Sequence, residues 1–538
     1  MDVVRLIEAL SNPALYAHAA ARVEVRQTHI SVVVLAGDYV YKFKKPVDLG
    51  FLDFSTLEKR YNYCRQEVVL NRRLAADVYL GVVPLIETGR GLVLGQENAE
   101  TQPDQGEVVE WCVKMRRLPD DATFLKGVER GEVGVEMVEL LAQRIAAFHQ
   151  QAETNPRIAS FGRSEGAAHI ILDIFAQARS HIGTTVSAAV YSRVKSLEEQ
   201  ALARLGSLID ARADRGVPRD CHGDLHLDHI YCFPERGAPA DLVIIDCIEF
   251  NERFRFTDPV ADMAFAYMDF AFHSRRDLAL AFAESYFRAT KDDEGRILLP
   301  LYAAYRATVR GMVDGLMFME KEVSETARRA ALRGAHAHWL LALTELEEPS
   351  RKPCILLVSG LPGTGKSTLS AKLADAAGFD VIRSDQVRKE LAGVPVHDPL
   401  PPSYYSAEWI DRTYAECLKR AEQLLLEGKR VLVDATFREE GQRRRFLDAA
   451  AHWGVPGFLL ICEVGPETVQ RRLSARKNDA SDADWTIYQQ IAEAWENLGS
   501  LTQNQSRSIT MEANLEDALA AALVALRELG LISGGGGA

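Results

Sequence analysis

The stretch Gly360-Leu361-Pro362-Gly363-Thr364-Gly365-Lys366-Ser367-Thr368 carries the most legible chemistry in the chain. It has the spacing G-x-x-x-x-G-K-[ST], in which glycines free the backbone to aim successive N–H groups at phosphate oxygens. In such a loop Gly360, Gly363, Thr364, Gly365 and Thr368 cradle phosphates, Lys366 reaches the terminal ones, and the Ser367 hydroxyl holds Mg2+. Further on, Asp385-Gln386-Val387-Arg388 sets a carboxylate and a guanidinium one helical turn apart. Asp385 there can take a proton from a hydroxyl, and Arg388 can clamp an anionic group. An N-capping Asp beside a surface Arg is the bland alternative. The next strand-like run, Arg430-Val431-Leu432-Val433-Asp434, ends in an acid placed to support the metal, with Thr436 two residues on for substrate. Arg472 and Arg476, spaced i, i+4, share a helix face as a lid over a transferring phosphate requires, and a solvated basic face is the competing reading.

A second set lies upstream. Asp224, in Cys221-His222-Gly223-Asp224-Leu225-His226-Leu227-Asp228-His229-Ile230, and Asp246, in Ile244-Ile245-Asp246, end two short elements joined by a hairpin with Pro234, Gly237 and Pro239 at its tip. Phosphoryl transfer uses such a pair, one acid to orient or deprotonate the attacking hydroxyl and the other to bind a bridging metal. His222, His226 and His229 crowd the first acid, as a hydrogen-bonded network or as zinc-like ligands.

The elements that position these residues follow from periodicity. The apolar run before Gly360 predicts a buried strand and 369–377 an amphipathic helix. Runs at 379–384, 430–434 and 457–462 predict further parallel strands, with 435–438 starting a helix that bears Arg443, Arg444 and Arg445. Ligands of an open α/β sheet bind at the carboxyl edge, where Asp385 and Asp434 fall. Toward the amino end, 23–44 predicts two strands joined through Gly37-Asp38, and Lys42 and Lys44 share a face of the second. A charged helix over about 55–74 carries Glu67, and strands at 82–86, 92–94 and 108–115 complete a strand-dominated lobe. Beyond about Val135 the spacing is helical, with segments at 170–181, 190–213, 282–290 and 300–322, ending near 339–346. Asp258 before Pro259 predicts a helix start.

Residues 28–269 resemble the aminoglycoside phosphotransferase and choline kinase-like branch of the protein-kinase fold, through His222-Gly223-Asp224, Ile245-Asp246, the strand lysine Lys42, the helix glutamate Glu67 and Asp258-Pro259-Val260-Ala261-Asp262. The resemblance implies Asp224 as base, Asp246 as metal ligand, and Lys42 and Glu67 at the nucleotide. Where that family places an asparagine for a second Mg2+, this chain has His229, and imidazole suits zinc-like metals better. Residues 353–531 resemble P-loop kinases grouped with phage-type polynucleotide kinase, gluconate kinase and zeta toxins, which implies ATP or another NTP with Mg2+, Asp385 as general base and Arg388 on substrate phosphate.

The expected fold is therefore α/β and α+β in two domains: a bilobal kinase-like domain at 1–346, with lobes meeting near 115, then a Pro-containing linker at 347–353. A P-loop NTPase parallel sheet with helices on both faces follows at 354–532, and the glycine-rich 533–538 should be disordered. With 47% hydrophobic and 26% charged residues the composition is that of a soluble globular protein. A net charge of -13 argues against a broad nucleic-acid surface. The eight cysteines form no C-x-x-C pair, and no apolar run reaches the length of a membrane span, so no membrane association and a cytoplasmic location are expected. The function expected is a kinase fusion acting on a hydroxyl of a small molecule or a nucleic-acid 5'-end. The alternatives are a regulatory protein with a degenerate first domain and a nucleotide-driven switch, and an antibiotic-modifying or toxin-like kinase.

Overall fold

The computed structural model describes residues 3–18, 22–50, 52–89, 91–98, 106–238, 241–320, 323–475, 483–512 and 514–533. Its contacts form two compact units: 1–167, 205–270 and 275–302 make the first, and 168–204, 271–274 and 303–538 the second. The division expected at 347–353 falls inside the second unit. The glycine-rich tail expected to be disordered lies, from 534 on, outside the described residues.

The first unit opens on a six-stranded antiparallel sheet, in the order β1-β2-β3-β6-β4-β5. Its strands are β1 (Val23–Gln27), β2 (Ser31–Ala36), β3 (Tyr39–Lys44), β4 (Tyr79–Thr88), β5 (Gly91–Leu94) and β6 (Glu107–Arg116). Residues 23–44 thus make three strands rather than two, because the half-buried edge strand β1 pairs with β2 from Val32 to Ala36. The two-residue turn Gly37-Asp38 pairs Ala36 with Tyr39, and Gly37 takes the positive φ of 57° that this turn demands. Alternation sends Val32, Val34, Phe43 and Cys112 to one apolar layer. Val82, Val113 and Met115 go to the other, against Cys64 and Val68 of the helix Leu57–Asn71. Thr56 caps that helix by accepting the Lys59 N–H.

The rest of this unit is mainly helical, and short strands position its site: β7 (Arg219–Asp220), β8 (Ile230–Cys232), β9 (Leu242–Ile244) and β10 (Phe256–Thr257). Strands β8 and β9 pair antiparallel, Ile230 opposite Ile244, as do β7 and β10. The helix Pro259–Phe272 starts where Asp258 accepts the Val260 N–H at 2.9 Å. Asp258 also pairs with buried Arg212, Oδ2 to Nε 2.7 Å. The helix expected to begin at Pro300 runs instead over Asp293–Met319 with Pro300 inside it, since Leu298, Leu301 and Tyr302 continue one buried face across the proline.

In the second unit a five-stranded, wholly parallel sheet has the order β12-β13-β11-β14-β15. The strands are β11 (Cys354–Ser359), β12 (Asp380–Arg383), β13 (Arg430–Asp434), β14 (Gly457–Glu463) and β15 (Ser506–Thr510). Alternate residues Leu356, Val358, Leu432 and Leu460 face the helices Lys366–Ala377 and Leu515–Glu528. On the opposite face the helix Glu440–His452 packs against β14, its Ala450 and Leu447 closing over Gly457. Among the described residues no helix is long and apolar enough to cross a membrane.

Candidate functional site

The phosphate-binding stretch sits between β11 and the helix Lys366–Ala377, which starts at Lys366, three residues before the periodic run. Gly360, Gly363 and Gly365 have φ of 149°, 81° and 94°. A Cβ at Gly360 would lie 2.7 Å from the Cys462 carbonyl oxygen, so the residue answers both a conformation and a close approach. The Ser359 hydroxyl donates to the Thr436 carbonyl at 2.8 Å, tying this loop to the end of β13.

Thr436 lies in a loop, not in a helix, and the helix expected from Ala435 begins at Glu440. The reason is Phe437, buried at a φ of 50°, its N–H donated to the Tyr414 hydroxyl at 2.9 Å and its ring edge-on to Phe446. Aromatic packing there offsets roughly 1–2 kcal/mol of left-handed strain.

Asp434 ends β13 at 3% exposure. Burial pushes its carboxyl up, while Lys366, a hydrogen bond from Ser367 and Arg383 pull it back. Arg383 Nε lies 3.3 Å from Asp434 Oδ2, whereas Oδ1 is buried with no hydrogen-bond partner among the described residues. A hard cation or its water beside Ser367 would satisfy that oxygen, so the donor set fits Mg2+.

Lys366, Asp385, Arg388 and Thr436 line one cavity of about 110 Å3. Asp385 and Arg388 stand on the helix Ser384–Ala392, Oδ1 to Nη1 2.8 Å apart. Arg388 is 8% exposed, its guanidinium 4.8 Å from the centre of the Tyr405 ring, and its buried Nε has no hydrogen-bond partner among the described residues. Tyr405, Tyr414, Ile487 and Ile491 form apolar walls, and Arg438 and Gln442 add polar groups. Spacing did not single out these wall residues, because they come from separate helices and loops.

Arg472, on the helix Pro466–Ala475, donates to the Thr364 carbonyl at 3.1 Å and the Met511 carbonyl at 2.8 Å. It braces the loop backbone from behind. Arg476, its expected partner in a lid, lies outside the described residues.

In the first unit Lys42 Nζ stands 2.9 Å from Glu67 Oε1 and contacts Asp246 Oδ1. Lys44, from the same face of β3, is 2.7 Å from Glu67 Oε2 and also contacts Glu249. Glu67 is fully buried, so it is no solvated helix charge. Burial opposes the Glu67 charge, but Lys42 and Lys44 hold its carboxyl below the usual range. Burial likewise opposes the Asp246 charge, and Lys42 and then His229 hold that carboxyl low. Asp246 takes a φ of 66°, with its N–H on the Tyr79 hydroxyl at 3.1 Å, which turns the side chain toward Lys42.

The loop bearing Asp224 is pinned by Asp262, whose carboxylate accepts the His222 N–H at 3.0 Å, the Gly223 N–H at 2.7 Å and His149 Nε2 at 3.0 Å. Burial pulls His222 down to about 4, so it stays neutral at physiological pH. His229 bridges the two acids, Nδ1 3.5 Å from Asp224 Oδ2 and Nε2 3.6 Å from Asp246 Oδ2. An imidazole in that place does not fit a second Mg2+, which demands oxygen ligands.

The fold and sites define a two-part protein, a bilobal kinase-like fold followed by a P-loop nucleotide-binding domain. Residues 355–497 match the AAA domain family. The chain belongs to the same family as the uncharacterized proteins Rv2004c of Mycobacterium tuberculosis and Mb2027c of Mycobacterium bovis, each 33% identical over 476 residues spanning 87% of this chain and 89% of theirs. Among solved structures, a gluconokinase from Sinorhizobium meliloti is similar over 34% of this chain and 95% of its own, at 19% identity and a TM-score of 0.26. A choline/ethanolamine kinase family protein from Mesorhizobium loti is similar over 63% and 94%, at 13% identity and a TM-score of 0.36. An aminoglycoside 2'-phosphotransferase-IIIa is similar over 62% and 98%, at 15% identity and a TM-score of 0.38.

Proposed function

We propose that this protein is an ATP- and Mg2+-dependent phosphotransferase that phosphorylates a hydroxyl, with the P-loop site as its principal engine. The observation that carries the reading is the single cavity shared by Lys366, Asp385, Arg388 and Thr436. Asp385 accepts the proton of the acceptor hydroxyl as its oxygen bonds the γ-phosphorus and the bond to the leaving nucleoside diphosphate breaks. Lys366 reaches the β- and γ-phosphates, the P-loop N–H groups hold their oxygens, and Arg472 keeps the loop in shape. Ser367 and Asp434 are the residues that would hold Mg2+, which supplies charge neutralisation at the transferring phosphate. Arg388 takes an anionic group of the acceptor, and the aromatic and aliphatic walls favour a small molecule or a nucleic-acid 5'-end with an apolar face over a bare polyol.

The experiment is transfer of labelled γ-phosphate by the full chain to nucleosides, 5'-hydroxyl oligonucleotides, sugars and aminoglycosides. Transfer to one class, lost in Asp385→Asn, supports the reading; ATP consumption without any acceptor dependence refutes it. A second reading, in which the first unit binds a nucleotide through Lys42, Glu67 and Asp246 without efficient transfer, is favoured by His229 standing where an amide ligand is expected.

A further inference from the structure

Asp224, His226 and His229 lie within one short loop and the 3-10 turn that follows it. His226 Nε2 and His229 Nδ1 are each 3.5 Å from the same oxygen, Asp224 Oδ2. The two imidazole rings are 3.8 Å apart between centroids. One ligand atom from each residue falls within 4.8 Å of the others.

These separations have a simple chemical meaning. Ligand bonds of 2.0–2.2 Å at tetrahedral angles put neighbouring donors about 3.3–3.5 Å apart. The two nitrogen–oxygen distances are therefore already those of adjacent ligands on one ion, with the shell left to close by a small turn of the rings. On its far side His229 Nε2 is 3.6 Å from Asp246 Oδ2. With the proton on Nε2 facing that carboxylate, the Nδ1 lone pair faces Asp224, the arrangement in which an outer carboxylate orients a ligating histidine. The other tautomer, with Nδ1–H toward the Asp224 carbonyl at 3.1 Å, is the form that closes the loop in the absence of metal.

We propose that Asp224, His226 and His229 form a binding site for a borderline transition-metal dication of the Zn2+ or Co2+ type. Two imidazoles and a carboxylate select such ions over Mg2+ and Ca2+, which prefer all-oxygen shells. Occupation engages the carboxylate that the kinase-like reading assigns as base, so the ion inhibits phosphate transfer in the first unit. That consequence rests on the reading of Asp224; the binding itself does not.

The test is a Co2+ titration of the chelator-treated full chain, without nucleotide, followed by visible absorption. Expected are the intense bands of a four-coordinate site with nitrogen ligands, displaced by Zn2+ and not by Mg2+. His226→Gln and His229→Asn should each weaken binding by more than about tenfold, the least effect seen even for outer-shell partners. Asp434→Asn should leave it unchanged, which separates this site from the P-loop, and absent ATP turnover would overturn the proposed function while leaving this result standing. If either histidine variant fails to fold, the Zn2+-induced rise in melting temperature of the wild type is compared with Asp224→Asn, in which it should vanish. Equal Co2+ affinity in wild type and both histidine variants, or an undiminished Zn2+ shift in Asp224→Asn, overturns the proposal.

Discussion

Replacing Asp385 by asparagine separates chemistry from binding, and the structure sets the size of each effect. Asp385 Oδ1 accepts from Arg388 Nη1 at 2.8 Å. An amide oxygen keeps that contact and the shape of the cavity, but turns a bond between two charges into a weaker one. The loss is about 1 kcal/mol of stability, or roughly 2–4 °C in melting temperature for a domain of this size. Losing a positioned general base slows transfer about 100- to 10,000-fold, equivalent to roughly 3–5 kcal/mol of barrier. Asp385 is not among the residues that cradle phosphates, so the ATP dissociation constant should stay within about threefold, roughly 0.7 kcal/mol. The assay pairs single-turnover transfer of labelled γ-phosphate with calorimetric ATP binding on the same full-length preparation. Parallel loss of both would make Asp385 a structural cap and refute the argument.

Other parts of the structure make separate predictions. Gly360→Ala meets the Cys462 carbonyl at 2.7 Å in a backbone region nearly closed to other residues, so it should lower stability by about 2 kcal/mol or more and weaken ATP binding, read by thermal melts with and without nucleotide. Asp262→Ala strips the buried His222 and Gly223 N–H groups of their acceptor, which should cost about 3–5 kcal/mol in urea unfolding and speed amide exchange at those two residues first. Glu198 is fully buried, and among the described residues neither of its carboxylate oxygens has a hydrogen-bond partner; nearby Thr308 donates its hydroxyl to the Tyr305 carbonyl at 2.8 Å. Burial raises the Glu198 carboxyl well above its usual value, so its unfolded form ionises first. Stability is thus fully present below the ordinary glutamate range and lost as pH rises toward the folded value, by up to about 1.4 kcal/mol per pH unit. Glu198→Gln should melt increasingly higher than wild type as pH rises, and parallel melting curves from pH 4 to 8 would sink that account.

The P-loop was legible because its signal is contiguous: an apolar strand, glycines at fixed offsets and a helix follow one another. The Lys42, Glu67 and Asp246 cluster was legible only through the kinase-like resemblance, since strand alternation by itself says no more than that Lys42 and Lys44 share a face. Alternation put Lys44 on the same face as Lys42, but its salt bridges to Glu67 and Glu249 are products of tertiary packing. Asp262 is legible in the sequence only as the end of the Asp258-Pro259-Val260-Ala261-Asp262 stretch of the resemblance, and its grip on the Asp224 loop exists only after folding. The loop at Thr436 is not legible, because the apolar Phe437 carries no mark of a positive φ and the Tyr414 hydroxyl that supports it is remote in sequence. Nor does helical periodicity say which sheet a helix packs with, and so the grouping of 303–346 with the parallel sheet was not legible.

Lys366→Ala tests most directly whether the P-loop drives phosphate transfer. Lys366 lines the cavity at the start of the helix Lys366–Ala377, beside Asp434, where the terminal phosphates are expected. Steady-state ADP formation by the full chain, with whichever acceptor class the transfer screen identifies, should fall in the variant by at least about 100-fold, roughly 3 kcal/mol of transition-state stabilisation. Undiminished ADP formation and transfer in the variant would contradict the account.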